Sequence, residues 1–271
     1  MPFTSIIITT YNWPEALEAS LTSLLDQNHK NFEIIIADDG STAPTKTLIK
    51  KFQATSTISI KHVFHEDQGF RAGTIRNKAV AACEGDYLIF VDGDCITLPS
   101  FIHRHQQLAE PNFFVPGNRV LLSKEYSPQV LSTKDPLHKK SLPFFLYLWA
   151  TQKLNRYIPF LHLPLGPLRC LTPKKWQKAM TCNLAIWKKD FIAVNGFDEQ
   201  FQGWGYEDSD LVIRLIHNRI KRKEGRFAVP VLHLWHKEND RSQHDENYQR
   251  LLDRLSQPNF IQAQSGFSQY N

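Results

Sequence analysis

Tyr87-Leu88-Ile89-Phe90-Val91-Asp92-Gly93-Asp94 joins a strand to a pair of carboxylates. The apolar run is too short for an ordinary helix, and it suits a strand covered on both faces. Asp92 and Asp94 then flank Gly93, whose missing Cβ lets the backbone bend so that both acids turn toward one cation. Oxygen ligands of this kind favour Mg2+ or Mn2+. The same three residues also suit a plain tight turn. An EF-hand loop does not fit, because its further acidic ligands and glycine are absent.

Strand and helix signals alternate on the N-terminal side of this segment. Residues 5–10 are a β-branched run. Asn12 is placed to cap the next helix, with Pro14 in its first turn and Leu17, Leu21, Leu24 and Leu25 at helical spacing. Residues 32–37 read as a second strand, 45–53 as a helix, 58–64 as a third strand and 72–83 as a helix. This order predicts an α/β fold: an open, twisted, mostly parallel sheet flanked by helices. Right-handed crossovers set the strand C-termini along one edge, where such sheets bind ligands.

The pattern loosens on the other side. Residues 111–125 look like irregular strand, and 127–178 are rich in Pro, Lys and aromatics, with one helix expected near 143–155. Regular signals return as a strand over 181–187, a helix over 208–220, a strand over 227–235 and a polar helix near 242–255. Disorder is expected only at the C-terminal tail.

Bulk properties bound the function. The chain has 271 residues, 42% hydrophobic and 22% charged, which is ordinary globular composition. The net charge of +5 fits phosphate handling, whereas a nucleic-acid binder would show a denser basic stripe. Cys83, Cys95, Cys170 and Cys182 form no C-x-x-C pair and read as buried thiols of a reducing compartment. No signal peptide or membrane-spanning run is evident, so a cytoplasmic location is expected.

Four further clusters carry chemistry. Asp38-Asp39-Gly40-Ser41 ends a strand on the same edge; Asp39 can accept from a base or ribose, or the turn can simply cap a helix. Gln68-Gly69-Phe70-Arg71-Ala72-Gly73 and Arg76 open a helix with small residues and guanidinium groups suited to a diphosphate, and equally read as ordinary surface charge. Gly203-Trp204-Gly205-Tyr206-Glu207-Asp208 sets two acids beside an aromatic shelf for a sugar, the alternative being a helix-capping acidic turn with a core Trp. Adjacent acids at a helix start point in different directions, and the helix dipole is expected to keep both ionised, ready to take a proton. His233 and His236 flank Leu234-Trp235 and can complete a metal site, with His236 nearer the polar run Lys237-Glu238-Asn239.

Taken in order, Thr9-Thr10-Tyr11-Asn12, Asp38-Asp39-Gly40-Ser41, Arg76-Asn77 and Asp92-Gly93-Asp94 resemble the family 2 glycosyltransferases of the GT-A fold. Cys182-Asn183, Gly196-Phe197-Asp198 and the 203–208 cluster resemble the acceptor half of β-1,4-galactosyltransferases and chondroitin-type polymerases. The resemblance covers residues 4–110 and 180–240. It implies one GT-A domain: a nucleotide-sugar half at 1–110, a variable insert at 111–180, an acceptor and catalytic half at 181–240, and a helix and tail at 241–271. Thr10, Tyr11, Asn12 and Asp39 would hold the nucleoside, and Phe70, Arg71 and Arg76 would line its pocket. Asp92 and Gly93 would meet the ribose or donor sugar. Asp94 would bind Mn2+ or Mg2+, with His236 and His233 completing the site. Glu207, Trp204, Gly203 and Asn183 would hold the acceptor, and Asp208 would be the catalytic base. His233 stands where some relatives carry another ligand, and residues 127–178 match no named pattern.

The expected activity is inverting transfer from a nucleotide-sugar donor, UDP by resemblance, to a glycan or lipid-linked glycan such as lipopolysaccharide or capsule. A non-catalytic sugar-nucleotide or glycan-binding module and a metal-dependent nucleotidyltransferase are the competing readings. Lys139 and Lys140 before Phe144-Phe145-Leu146-Tyr147-Leu148-Trp149, with Arg156 after, also suit peripheral contact with an anionic membrane, as they would an ordinary lid or core helix.

Overall fold

Four parallel strands form the centre: β1 (Thr4–Thr10), β2 (Phe32–Asp38), β3 (Ile60–Phe64) and β4 (Tyr87–Asp92). Helices α1 (Pro14–Leu25), α2 (Ala43–Thr55) and α3 (Ala72–Ala81) make the crossovers. The computed structural model describes residues 1–237 and 242–270. Next come β5 (Cys95–Thr97), α4 (Phe101–Leu108), β6 (Phe113–Pro116), β7 (Asn118–Leu121), α5 (Tyr126–Thr133) and α6 (Leu142–Ala150). The chain then builds β8 (Asn183–Trp187), α7 (Lys188–Ala193), α8 (Glu207–His217), β9 (Lys221–Arg222), β10 (Pro230–His233) and α9 (His244–Ser256).

The main sheet has seven strands in the order β3-β2-β1-β4-β8-β6-β9. Period-two alternation sorts its side chains. Ile6, Ile8, Ile34, Ile36, Ile89 and Val91 face α1, α2 and α4, while Ile7, Ile35, Leu88 and Phe90 face α3, α7 and α8. Both faces are covered, which is why these runs are continuously apolar. Each such buried side chain contributes roughly 1.5–3 kcal/mol of transfer free energy. A second sheet, β5-β10-β7, packs with α5 and α6 around a third cluster that includes Phe145, Leu148, Phe160 and Leu232.

Register sets the ligand edge. Thr10 pairs with Asp38, and Thr9 pairs with Asp92, so the three central strands end together. β8 runs antiparallel beside β4, with Asn183 opposite Val91. β10 runs antiparallel to β5, with His233 opposite Cys95. That one pairing carries a histidine from late in the chain to the residue after Asp94.

Several expectations are corrected. The segment beyond Asp94 forms a strand and a helix, β5 and α4, that the sequence pattern did not announce. Residues 127–178 hold α5, α6 and short 3-10 turns, and α6 ends at Ala150, short of residue 155. Cys170 is only half-buried, unlike the other three thiols. The tail is not loose over its described residues. Ala263 N–H donates to Val194 O at 3.1 Å, Phe267 N–H donates to Asn195 O at 2.9 Å, and the Phe267 ring packs 5.9 Å from Phe191. Among the described residues no helix is long and apolar enough to cross a membrane.

Candidate active site

The turn after β4 is packed closely against the end of β1. Gly93 N–H donates to Thr9 O at 2.7 Å, and a Cβ on Gly93 would lie 2.9 Å from that oxygen and 3.2 Å from the Thr10 side chain. Gly93 is therefore required by its neighbour strand rather than by a special backbone angle. Asn12 does not cap α1. It sits in the left-handed region (φ 46°), and its Oδ1 accepts from the Thr42 N–H and hydroxyl at 2.8 Å each. An amide side chain tolerates that backbone region, and here it ties the β1 loop to the start of α2. Neither Asp39 nor Ser41 caps α2, whose N-cap is Thr42.

Asp39 lies buried at the end of β2. It accepts from Arg71 N–H at 3.0 Å and pairs with His65 Nε2 at 2.6 Å. Burial pushes its carboxyl up, and the Arg71 N–H and His65 oppose that push. Tyr11 is exposed and donates to Asp67 Oδ2 at 2.8 Å. Phe70 and Arg71 are half-buried on the loop entering α3, where the Arg71 guanidinium donates to Glu66 O. Tyr11, Asp39, Phe70 and Arg71 thus gather at one end of the sheet edge, next to Thr10, whose carbonyl accepts from Asp39 N–H at 3.0 Å.

Arg76, on the first turns of α3, is the hub. Its side chain is 5% exposed. It donates to Thr9 Oγ1 at 3.0 Å, to Asp92 Oδ1 at 3.2 Å and to Glu207 Oε1 at 3.3 Å. Burial works against its charge, but Asp92, Glu207 and Asp208 outweigh it and raise its pKa. One guanidinium therefore links the Asp92-Gly93-Asp94 turn to Glu207, which lies 131 residues beyond Arg76.

The 203–208 loop is shaped by three positive backbone angles within four residues. Gly203, Gly205 and Tyr206 have φ of 69°, 115° and 70°. Gly203 N–H donates to Phe70 O at 3.2 Å, so the loop rests on the segment entering α3. Tyr206 hydrogen-bonds His244 at 3.0 Å, and Trp204 is half-buried. Glu207 and Asp208 then open α8 and diverge, as expected. Glu207 turns to Arg76, while Asp208 Oδ2 accepts from Thr181 N–H at 3.1 Å and Oγ1 at 3.4 Å.

Burial opposes the helix dipole at both acids. Burial pushes Glu207 up to about 7; the Asp208 charge adds to this and Arg76 opposes it. Burial also raises Asp208, against Arg76 and the Thr181 N–H, with the Asp92 charge adding to the rise. Desolvation exceeds a dipole contribution of about 0.3–1 kcal/mol. Asp92 is raised by burial as well, held back by Arg76, and its side chain keeps 32% exposure that moderates the effect.

The metal-site candidates converge. Asp94 Oδ2 lies 3.3 Å from His236 Nε2 and 3.5 Å from His233 Nε2, and the two imidazoles are 5.3 Å apart. Burial lowers the His233 pKa, which favours the neutral imidazole that ligates metal. The run 237–239 invoked beside His236 lies, apart from Lys237, outside the described residues. The sequence reading missed Cys95. Its ligand atom lies within 4.8 Å of those of Asp94 and His233, and the signal was only its place beside Asp94. Burial holds the Cys95 thiol well above its ordinary range, with Cys182 and Asp94 adding to the rise, so oxygen and imidazole nitrogen are the better donors.

Asn183 is a further correction. Its side chain is buried and used up: Nδ2 donates to Val229 O at 2.6 Å and Asn118 O at 3.1 Å, and Oδ1 meets His105 Nε2 at 3.0 Å. It fastens β8 to its neighbours instead of offering an atom to an acceptor.

Known proteins resemble this chain in sequence and in fold. The family model for glycosyl transferase family 2 matches residues 5–160, and that for the N-terminal domain of galactosyltransferase matches residues 169–237. A validoxylamine A glucosyltransferase of Streptomyces hygroscopicus subsp. jinggangensis (strain 5008) is 27% identical, over 79% of this chain and 51% of that protein. The hyaluronan synthase of Pasteurella multocida is 28% identical, over 78% of this chain and 22% of its own length. The chain thus spans about half, or less, of the length of these relatives. A mannosyltransferase of Pyrobaculum calidifontis, solved with GDP-Man and Mn2+, superposes with a TM-score of 0.63 at 15% identity, covering 94% of this chain and 64% of that one. S. aureus TarS 1-349, solved with UDP, gives 0.62 at 14%, covering 98% and 68%. These two share the fold. With the family 2 match extending over more than half of its residues, the chain belongs to glycosyl transferase family 2.

Proposed function

We propose that the chain is a metal-dependent, inverting glycosyltransferase. It would move a sugar from a nucleotide-sugar donor, UDP-linked in the first instance, to a hydroxyl of a glycan or lipid-linked glycan acceptor. The observation that carries this reading is Arg76, which bonds the strand-end carboxylate Asp92 and the loop carboxylate Glu207 together. Donor-side and acceptor-side acids therefore share one site.

Tyr11, Asp39 and Arg71 are placed to bind and orient the nucleoside, with Phe70 beside them. Asp94, His233 and His236 offer one carboxylate and two imidazoles, a donor set that fits Mn2+. An ion held there supplies Lewis-acid stabilisation of the departing diphosphate. Glu207 and Trp204 would orient the acceptor, lowering the entropic part of the barrier. Asp208 takes the acceptor hydroxyl proton as that oxygen attacks the anomeric carbon. The bond to the nucleotide diphosphate breaks on the opposite face, and the configuration inverts. The raised pKa of Asp208 suits the task, because a more basic carboxylate is a better proton acceptor once ionised.

The test is a panel of nucleotide sugars scored for UDP or GDP release, with and without Mn2+ and with candidate glycan acceptors. Metal-dependent release that rises with one acceptor, and a product of inverted anomeric configuration, is the expected result. Tight donor binding with no release or transfer would support a non-catalytic module instead. Pyrophosphate release from a nucleoside triphosphate would support a nucleotidyltransferase.

A further inference from the structure

We propose that the face carried by residues 139–158 docks on an anionic lipid bilayer, with α6 lying along the headgroup layer. This goes beyond sugar transfer and stands whether or not the chain is catalytic. Between residues 136 and 165 the sequence holds four Lys or Arg and no Asp or Glu.

Helix α6 has no charged residue, and it is a surface helix. Only Phe145 and Leu148 are buried, with the Phe145 ring stacked 4.3 Å from Phe160. Leu142, Leu146 and Trp149 lie at helical spacing on the outward side, exposed by 43%, 43% and 48%. Tyr147, beside them, is 53% exposed. Surface helices ordinarily turn polar residues to water. An apolar outward stripe this dense marks an interaction surface. The chain after α6 continues it with Ile158, 56% exposed.

Charge selects the partner. Basic residues bracket the stripe: Lys139 and Lys140 before it, Lys153 and Arg156 after it. Lys139 is paired with Asp26 at 2.7 Å and Lys140 with Asp135 at 2.7 Å. Lys153 and Arg156 have no carboxylate partner among the described residues; Lys153 instead sits 5.1 Å over the Tyr126 ring and 5.7 Å over the Tyr147 ring. Basic side chains on both flanks of an apolar stripe place ammonium and guanidinium groups among lipid phosphates while the apolar residues enter the acyl boundary.

The face is also continuous with the site. Ser123 N–H donates to Lys153 O at 3.0 Å, Trp235 N–H donates to Ser127 Oγ at 2.8 Å, and Lys124 lies 5.1 Å over the exposed Trp235 ring. Trp235 precedes His236. Docking would thus bring the Asp94 edge close to the membrane surface.

The experiment is flotation of the full chain with vesicles of phosphatidylcholine alone or mixed with phosphatidylglycerol, at low and raised salt. Binding is expected to the anionic vesicles, at least tenfold weaker to the neutral ones, and reduced by salt. Lys153→Glu/Arg156→Glu should lower partition at least tenfold, since each basic residue near such a surface contributes about fivefold. Leu146→Ser/Trp149→Ser should lower it comparably, with an unchanged thermal melt showing that both variants fold. Absence of binding to anionic vesicles at low salt, equal binding to both vesicle types, or unaffected binding by both variants would each overturn the proposal. So would light scattering that shows a dimer made monomeric by Leu146→Ser/Trp149→Ser, because the face would then be covered by a second copy. None of these readouts depends on turnover.

Discussion

Replacing Arg76 with methionine keeps most of the side chain's apolar length and removes its charge. Asp92, Glu207 and Asp208 would then face one another without the guanidinium. Breaking a buried ion pair from one side generally costs about 3–5 kcal/mol. Asp92 is 32% exposed and contributes little of this, so Glu207, whose side chain is 9% exposed, carries most of it. The lost hydrogen bond to Thr9 adds about 0.5–1.5 kcal/mol at any pH. The expected destabilisation is therefore about 3 kcal/mol at about pH 8.5. Its pH dependence has a definite sign. Glu207 already has a folded pKa near 7, above that of the unfolded chain, so the native state binds the extra proton. Such a group stabilises fully below the unfolded pKa, and that stability is lost as pH rises through the folded pKa. Removing Arg76 pushes the folded pKa higher still, so the variant goes on losing stability where the wild type has levelled off. The gap should narrow to about 1 kcal/mol near pH 5.5, where Glu207 is protonated in both proteins. Urea unfolding followed by tryptophan fluorescence, in chelator so that no divalent cation replaces the guanidinium, measures both values. Adding Glu207→Gln to the variant should recover about half of the loss at high pH. A gap under about 1 kcal/mol at pH 8.5, or one that does not change with pH, would refute the electrostatic account of this site.

Asp208→Asn should leave donor affinity unchanged and lower turnover about a hundredfold or more, read by nucleotide release and by donor titration. A pH profile of kcat/KM should show an acid limb at higher pH than an ordinary aspartate gives, because burial raises Asp208 and the base must be ionised; Glu207→Gln removes a like charge and should move that limb to lower pH. Asp94→Ala should weaken Mn2+ binding at least tenfold by calorimetry, and excess Mn2+ should restore part of the activity that a chelator removes from the wild type. Gly117→Ala would drive a methyl group into the Asn183 amide and should lower stability by about 1–3 kcal/mol in thermal unfolding.

Much of the parallel core was legible in the sequence, because a strand covered on both faces must be continuously apolar. Residues 5–10, 32–37 and 87–91 each show such a run and each is a strand. The acids that follow them were legible too, because strand C-termini align in this topology. The weaker elements were not. β5 and β7 are three and four residues long, and their stability comes from pairing with β10, more than a hundred residues away. Asn12 looked like a helix cap, but its side chain bonds Thr42, a partner that exists only after α2 packs. Asn183 sat in a motif that suggested an acceptor contact, and only the fold shows its amide consumed by His105, Asn118 and Val229.

By itself, the sequence determined the residue types of the site: two carboxylate pairs, two imidazoles and a run of small residues and arginines, each at a strand end or helix start. Tertiary structure decided what those residues are to one another. Local spacing can direct Glu207 and Asp208 apart, but only packing brings Arg76 from α3 between them and Asp92. Burial makes the largest contribution to their raised proton affinity, and desolvation depends on what the fold packs around a group rather than on its local sequence pattern.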